Sequence, residues 1–298
     1  MANPTITGSS YAGEFAGKYI AASILSAKTL DEGAITILPN VKHKAAMKVG
    51  AFSNLIRSAD CDFDATTSGL TLTEKVLTPA ELQVNLQICK KELHADWEAA
   101  QMGYSAFDNL PPLFSDFVIA RVAAEVANAT ENSIWGGASG EGNFDGFKTI
   151  MQADSDVVDV TGASVTASNV IAELNKIVDA IPATVYGSDD LVLYVSTTFA
   201  KCYIQAQATL GYANLYNAGA TEMNFQGIPM FVTAGLQTNN AVCARKSNLY
   251  FGTGLLDDRN VVKVIDMADL DGSDNVRVVM RYTAGVQIGV GADIVLYS

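Results

Sequence analysis

Two β-prone runs constrain this 298-residue chain more than anything else in it: "AMKVGAFSNLIRS" (Ala46–Ser58) and "GLTLTEKVLT" (Gly69–Thr78), joined by a polar tip that begins "DCDFD". Each arm is about a dozen residues, so a hairpin built from them reaches roughly 40 Å if fully extended. It carries too few large apolar residues to hold itself together, and an isolated two-stranded ribbon is marginal in water. Its charge is also divided. Lys42, Lys44, Lys48 and Arg57 precede the turn, and Asp60, Asp62 and Asp64 sit at it. Support from a neighbouring subunit is the economical solution, which makes these seven residues candidate inter-subunit contacts.

The rest of the chain can build a core: 49% of its residues are hydrophobic, enough for two lobes. No run of 18 apolar residues is present, so no membrane span is expected. The first residues lack the basic and apolar regions of a secretory signal. Net charge is −13, from 32 acidic and 19 basic residues. That sign opposes binding to nucleic-acid phosphate, yet an acidic wall could still enclose nucleic acid without adhering to it. Cys61, Cys89, Cys202 and Cys243 show no CxxC spacing and read as reduced, mostly buried thiols of a protein folded in cytoplasm.

Along the chain, residues 1–34 read as an arm with a short helix near Glu14–Leu25. It has no core of its own, so it is expected to pack on something else. "ELQVNLQI" (Glu81–Ile88) alternates as a strand with Leu82, Val84, Leu86 and Ile88 on one face. A short helix over Lys90–Met102 follows. Pro111 and Pro112 then introduce a long helix over 113–135, about 35 Å in length. Residues 150–235 alternate strands and helices. The stripe Val170, Ile171, Leu174, Ile177, Val178 and Ile181 marks one helix, with Ser168 as its expected N-cap. In "FQGIPMFVT" (Phe225–Thr233), Gly227 and Pro229 signal a strand, a tight turn and a second strand. From Ala241 onward the chain returns to β segments.

No catalytic, cofactor or metal site is expected. Asp60-x-Asp62-x-Asp64 opens like a calcium loop, but that loop needs Gly and Glu where Ala65 and Thr71 stand. "DLDGSDN" (Asp269–Asn275) is first of all a hairpin turn. "GGASGEG" follows a helix rather than a strand and lacks the Gly-Lys-Ser/Thr of a phosphate loop. Asn128-Ala-Thr130 matches a glycosylation triplet but falls inside the long helix. The two histidines, His43 and His94, serve no nucleophile motif.

Taken in order, the arm, the coreless hairpin, the long helix, the α/β lobe and the returning β segment resemble the Hong Kong 97-type major capsid protein of tailed bacteriophages. The resemblance spans the whole chain as architecture. It is most specific in "FQGIPMFVTAGLQTNNAVCARKSNLYFGTGLLDD" and in the closing "VRVVMRYTAGVQIGVGADIVLYS" with Arg281 and Ala292. It implies an α+β fold: an N-terminal arm (1–34), an extended β-hairpin loop and peripheral strand (35–89, hairpin about 40–79), and a peripheral region with a spine helix (90–149). An axial α/β domain (150–235) and a return to the peripheral β-sheet (236–298) complete it, with Phe225–Thr233 carrying the chain out of the axial lobe.

By the same resemblance the chain would self-assemble into hexamers and pentamers in the host cytoplasm. The virion head so formed would enclose double-stranded DNA, with scaffolding, portal and decoration proteins as partners. The short arm lacks the long charged helical segment that serves many such proteins as a scaffold, so scaffolding is expected from a separate chain. Lysine–asparagine cross-links occur in such shells, and Lys42, Lys44 and Lys48 lie in the relevant region. Two other readings stand beside this one: an encapsulin-type nanocompartment shell, told apart by its contents, and a hydrolase using His94, Asp96 and Ser196.

Overall fold

The computed structural model describes residues 28–41, 43–52, 56, 58, 70–89, 112–140, 142–209, 223–254 and 263–298. The expected helices near Glu14–Leu25 and Lys90–Met102 lie outside them, as do the hairpin tip and the segment around Pro111.

The first element is one helical turn, α1 (Lys28–Asp31), followed by β1 (Thr36–Leu38). The hairpin arms pair as β2 (Ala45–Phe52) and β3 (Leu70–Leu77), in register from Ala45 opposite Leu77 to Phe52 opposite Leu70. Thr78 and Pro79 then turn the chain into β4 (Ala80–Cys89), whose alternation follows the sequence pattern. Helix α2 (Pro112–Gly136) runs for 25 residues, one longer at each end than the apolar spacing indicates. Helix α3 (Phe147–Ala153), β5 (Val158–Val160), α4 (Val170–Asp179), β6 (Leu191–Ser196) and α5 (Thr197–Thr209) make the α/β stretch. The N-cap position of α4 is Asn169, not Ser168. The Asn169 side chain is spent on the Thr166 N–H and hydroxyl, and Ser168 likewise faces Thr166, so an upstream turn fixes the helix entry.

Short β7 (Asn224–Phe225) and β8 (Ile228–Thr233) form the hairpin expected of "FQGIPMFVT". Gln226 and Gly227 both have positive φ, 50° and 83°, the backbone that a two-residue turn between twisted strands requires. The remaining strands are β9 (Ala241–Arg245), β10 (Leu249–Gly252), β11 (Lys263–Asp266), β12 (Asn275–Ile288) and β13 (Val295–Tyr297). The "DLDGSDN" stretch does link two antiparallel strands, but through a helical turn, α6 (Ala268–Asp271), closed by Gly272 at φ 71°.

These strands form two larger sheets. One runs β5-β13-β9-β6-β8-β7; in the other, β12 pairs with β4 on one edge and with β10 and β11 on the other edge, and β1 adds outside β10. The six-stranded sheet is buried on both faces. Leu191, Leu193, Val195, Cys243, Val295 and Tyr297 lie under α4 and α5, while Val192, Tyr194, Val242, Ala244 and Leu296 enter a second core. That second core is shared with Leu249, Phe251, Val286 and Ile288 of the five-stranded sheet, so the two sheets are welded by common apolar burial. A third cluster seats Val118, Val122 and Val126 of α2 on Val278 and Met280.

Two expectations are corrected here. Phe225–Thr233 does not lead out of the α/β lobe, because β8 lies parallel to β6 inside the six-stranded sheet, Leu193 opposite Met230 and Ser196 opposite Thr233. The crossing comes later, at the 3-10 turn Lys246–Asn248 between β9 and β10, and the chain crosses back through Gly291–Asp293 into β13. Residues 236–298 therefore supply both sheets. At the end of the arm Leu30 and Ala34 pack on the rest of the chain, joining the shared core together with Ile35 just after it.

Candidate assembly surface

The β2–β3 ribbon has two unlike faces. Directly opposed residues in an antiparallel pair share a side, so Ala45, Met47, Val49, Thr73, Lys75 and Leu77 form one face and Ala46, Lys48, Gly50, Leu72, Glu74 and Val76 the other. The first turns toward the protein at its base. The second is exposed at all six positions, including Leu72 at 63% and Val76 at 39%.

The base is fixed by three contacts. Leu77 is fully buried against Gly252, where a Cβ would come within 2.4 Å of the leucine Cδ2, so only glycine leaves this socket open. Gln287 Nε2 donates to the Val76 carbonyl over 2.9 Å. Lys75 Nζ donates to Asp154 Oδ2 beside β5. Burial raises the Asp154 carboxyl's pKa, but the Lys75 ammonium and the Asp156 N–H outweigh it and hold it below the usual value. Beyond this base the ribbon is paired only with itself among the described residues.

A second polar node sits where the arm, α2 and the six-stranded sheet meet. Glu131 is fully buried and accepts hydrogen bonds from Thr29 N–H (3.1 Å), Thr29 Oγ1 (2.6 Å) and Thr233 Oγ1 (2.7 Å). Trp135 Nε1 donates to Thr29 Oγ1, and Tyr194 donates to the Ala34 carbonyl. A buried carboxylate is tolerable only with such donors. Nothing in the local sequence around Glu131, on an otherwise ordinary helix, announces this node, because its partners are 102 residues away in either direction.

Searches with this chain return no matching family model and no matching curated protein. Solved structures do match over nearly the whole length. The capsid of a native GTA particle aligns with TM-score 0.64 at 14% identity, covering 94% of this chain and 93% of that one. A Mycobacterium phage Ogopogo chain gives 0.59 at 15% identity, with 94% of each covered. The capsid of cyanophage P-SCSP1u gives 0.57 at 12%, over 95% and 91%. The chain has the Hong Kong 97-like capsid fold.

Of the seven candidate contact residues, Lys44 and Lys48 are exposed, and Lys48 stands opposite Glu74 on the outer ribbon face. Lys42, Arg57, Asp60, Asp62 and Asp64 lie outside the described residues. Sequence reasoning missed Glu74, Lys75 and Leu72, although the period-two pattern of "LTLTEKVL" carried the signal. His94 and Asp96 of the hydrolase reading are outside the described residues. Ser196 is buried at 1% exposure, and its hydroxyl accepts the Phe199 N–H at the start of α5, a helix-capping role. The Gln226–Gly227 turn and Tyr186–Asp189 border a cleft of about 310 Å³ whose polar lining is Ser188, Asp189 and Gln226. Asp266 and Asp271 are engaged in their own turn, accepting from Ala268 N–H and from Ser273. Of the described thiols, Cys243 is buried but Cys89, at the end of β4, and Cys202, in the middle of α5, are only half-buried, fewer inside than expected.

Proposed function

We propose that this protein is the structural subunit of a phage-type shell, assembling with copies of itself into hexamers and pentamers that enclose double-stranded DNA in a virion head, and that its role is mechanical rather than catalytic. The observation carrying this reading is the outer face of the ribbon: three same-face cross-strand pairs, apolar except for Lys48 and Glu74, exposed on a fold matched by phage capsids. A neighbouring copy is the natural cover for such a face. The wall is acidic overall, so the genome is driven in by an external motor rather than condensed by the coat. The ribbon serves as the extended loop over a neighbour, α2 as the spine, the six-stranded sheet as the axial part and the five-stranded sheet as the peripheral part. Separate scaffolding, portal and decoration chains complete the particle.

Negative-stain imaging of the purified protein should show closed particles. Deletion of residues 46–76 should leave a folded protein that no longer forms them. Closed particles of normal size from the deletion variant would refute the role given to the ribbon. DNA binding no tighter than that of a generic acidic protein, at about 50 mM salt, is expected for the isolated subunit.

A further inference from the structure

The ribbon is held to both sheets, by contacts of different kinds. Leu77 in its Gly252 socket and Gln287 on the Val76 carbonyl fix it to the five-stranded sheet. Lys75 reaches the other way, to Asp154 in the turn that leads into β5, an edge strand of the six-stranded sheet. Asp154 is itself hemmed in. A Cβ on Gly291 would lie 3.1 Å from Asp154 Oδ2 and 3.2 Å from Asp156 Cβ, so the crossing turn Gly291–Asp293 packs directly against the lysine's partner. Gly291 does not have a positive φ, so its missing side chain serves space rather than backbone conformation. The turn is also fastened to the opposite crossing. Arg245 Nη2 donates to Asp293 Oδ2 over 2.8 Å. The buried Asn248 side chain accepts from the Val290 N–H and donates to the Val290 carbonyl, each over 2.8 Å. Arg245–Asn248 leads out of the six-stranded sheet and Val290–Asp293 leads back into it, so one polar seam joins both crossings to the base of the ribbon.

We infer that this seam is a coupling device: it ties the inclination of the ribbon to the angle between the two sheets, with Gly291 and Asp154 as the point of transmission. The inference rests on the shell reading above, in which the ribbon's inclination sets how far it extends over a neighbour. The apolar core shared by the sheets is non-directional and selects no single angle by itself, whereas hydrogen bonds and close-packed turns do. A shift of the crossing turn toward Asp154 has no free space to enter. The carboxylate cannot swing aside without leaving Lys75 and the Asp156 N–H. Leu77 is the fulcrum. Lys75 lies two residues from it and Leu70 seven. At about 3.3 Å per residue, the far end of β3 therefore moves roughly three times as far as Lys75. Small changes in sheet angle thereby become larger changes in the ribbon's reach.

Gly291→Ala tests the point of transmission, because the new methyl meets Asp154 and Asp156 and not the ribbon. Hydrogen exchange in Leu70–Leu77 of the folded subunit should speed up about two- to fivefold, the range for loosening a partly exposed ion pair. With Lys75→Met already present, Gly291→Ala should add nothing to that rate, a result that a glycine needed only for local packing would not give. Arg245→Met, which frees Asp293 without adding volume at the turn, should behave the same way and carries the test if Gly291→Ala does not fold. In assembled particles, either variant should give a spread of diameters where the wild type gives one. Unchanged exchange, or increments that add fully to that of Lys75→Met, would overturn the coupling, and so would variant particles of a single wild-type diameter. These results leave the shell reading intact. Failure of the wild type to form closed particles would remove the shell reading instead, while exchange in the isolated subunit still decides the coupling.

Discussion

Lys75 Nζ and Asp154 Oδ2 lie 2.5 Å apart, joining the ribbon to the turn that precedes β5. The lysine side chain is 30% exposed and the aspartate 10%, so the pair is shielded more than a typical surface bridge. Lys75→Met should speed hydrogen exchange in Leu70–Leu77 about fivefold at neutral pH, corresponding to about 1 kcal/mol. The sign of the pH effect follows from the depressed carboxyl. Its stabilisation is complete above the unfolded value near 4 and is lost as pH falls through the lower folded value. Wild type and variant should therefore begin to converge only below about pH 4 and meet once the pH has fallen past the depressed folded value, which exchange rates corrected for intrinsic chemistry will show.

Leu77 and Leu72 are on the same strand with opposite fates, 0% and 63% exposed. Leu77→Ala should cost roughly 2–5 kcal/mol of subunit stability in urea unfolding. Leu72→Ala should change it by less than about 0.5 kcal/mol, yet weaken particle assembly. Equal effects of the two on the isolated subunit would contradict the division of the ribbon into an anchored and an open face.

Thr233→Val removes one of the hydroxyl donors to Glu131 and should cost about 1–3 kcal/mol, the range for leaving a buried acceptor short of its partner. Glu131→Ala should cost more, since Thr29 and Thr233 both lose their acceptor. A double-mutant cycle between the two positions should show a coupling of about 1 kcal/mol. Additive losses would mean that the node is not a unit.

Burial pushes the Cys243 thiol up to about 12, so almost none is thiolate at pH 8. Cys243 should be inert to a maleimide in the native protein and react only with unfolding, whereas half-buried Cys89 and Cys202 should label before it. Mass spectrometry of labelled peptides distinguishes the three sites.

Local elements were legible because their signals are local. Strand β4 follows from strict alternation, α2 from apolar spacing after a proline, and the Gln226–Gly227 turn from a glycine between two short β runs. The coreless hairpin could be recognised because a shortage of large side chains shows in any count of its residues. The order of these parts sufficed to suggest the capsid fold.

Which sheet each strand joins was decided by tertiary structure alone. "AVCARKSNLYFGTG" reads as one β stretch, yet Ala241–Arg245 and Leu249–Gly252 belong to different sheets, because Cys243 and Ala241 fill the space under α4 and α5 while Leu249 and Phe251 fill the shared core. Both halves are equally apolar, so periodicity cannot separate them. The Glu131 node and the Lys75–Asp154 anchor were hidden for a related reason. Each joins residues 79 to 102 positions apart, and a partner chosen by packing at that distance leaves no pattern in either segment's own letters.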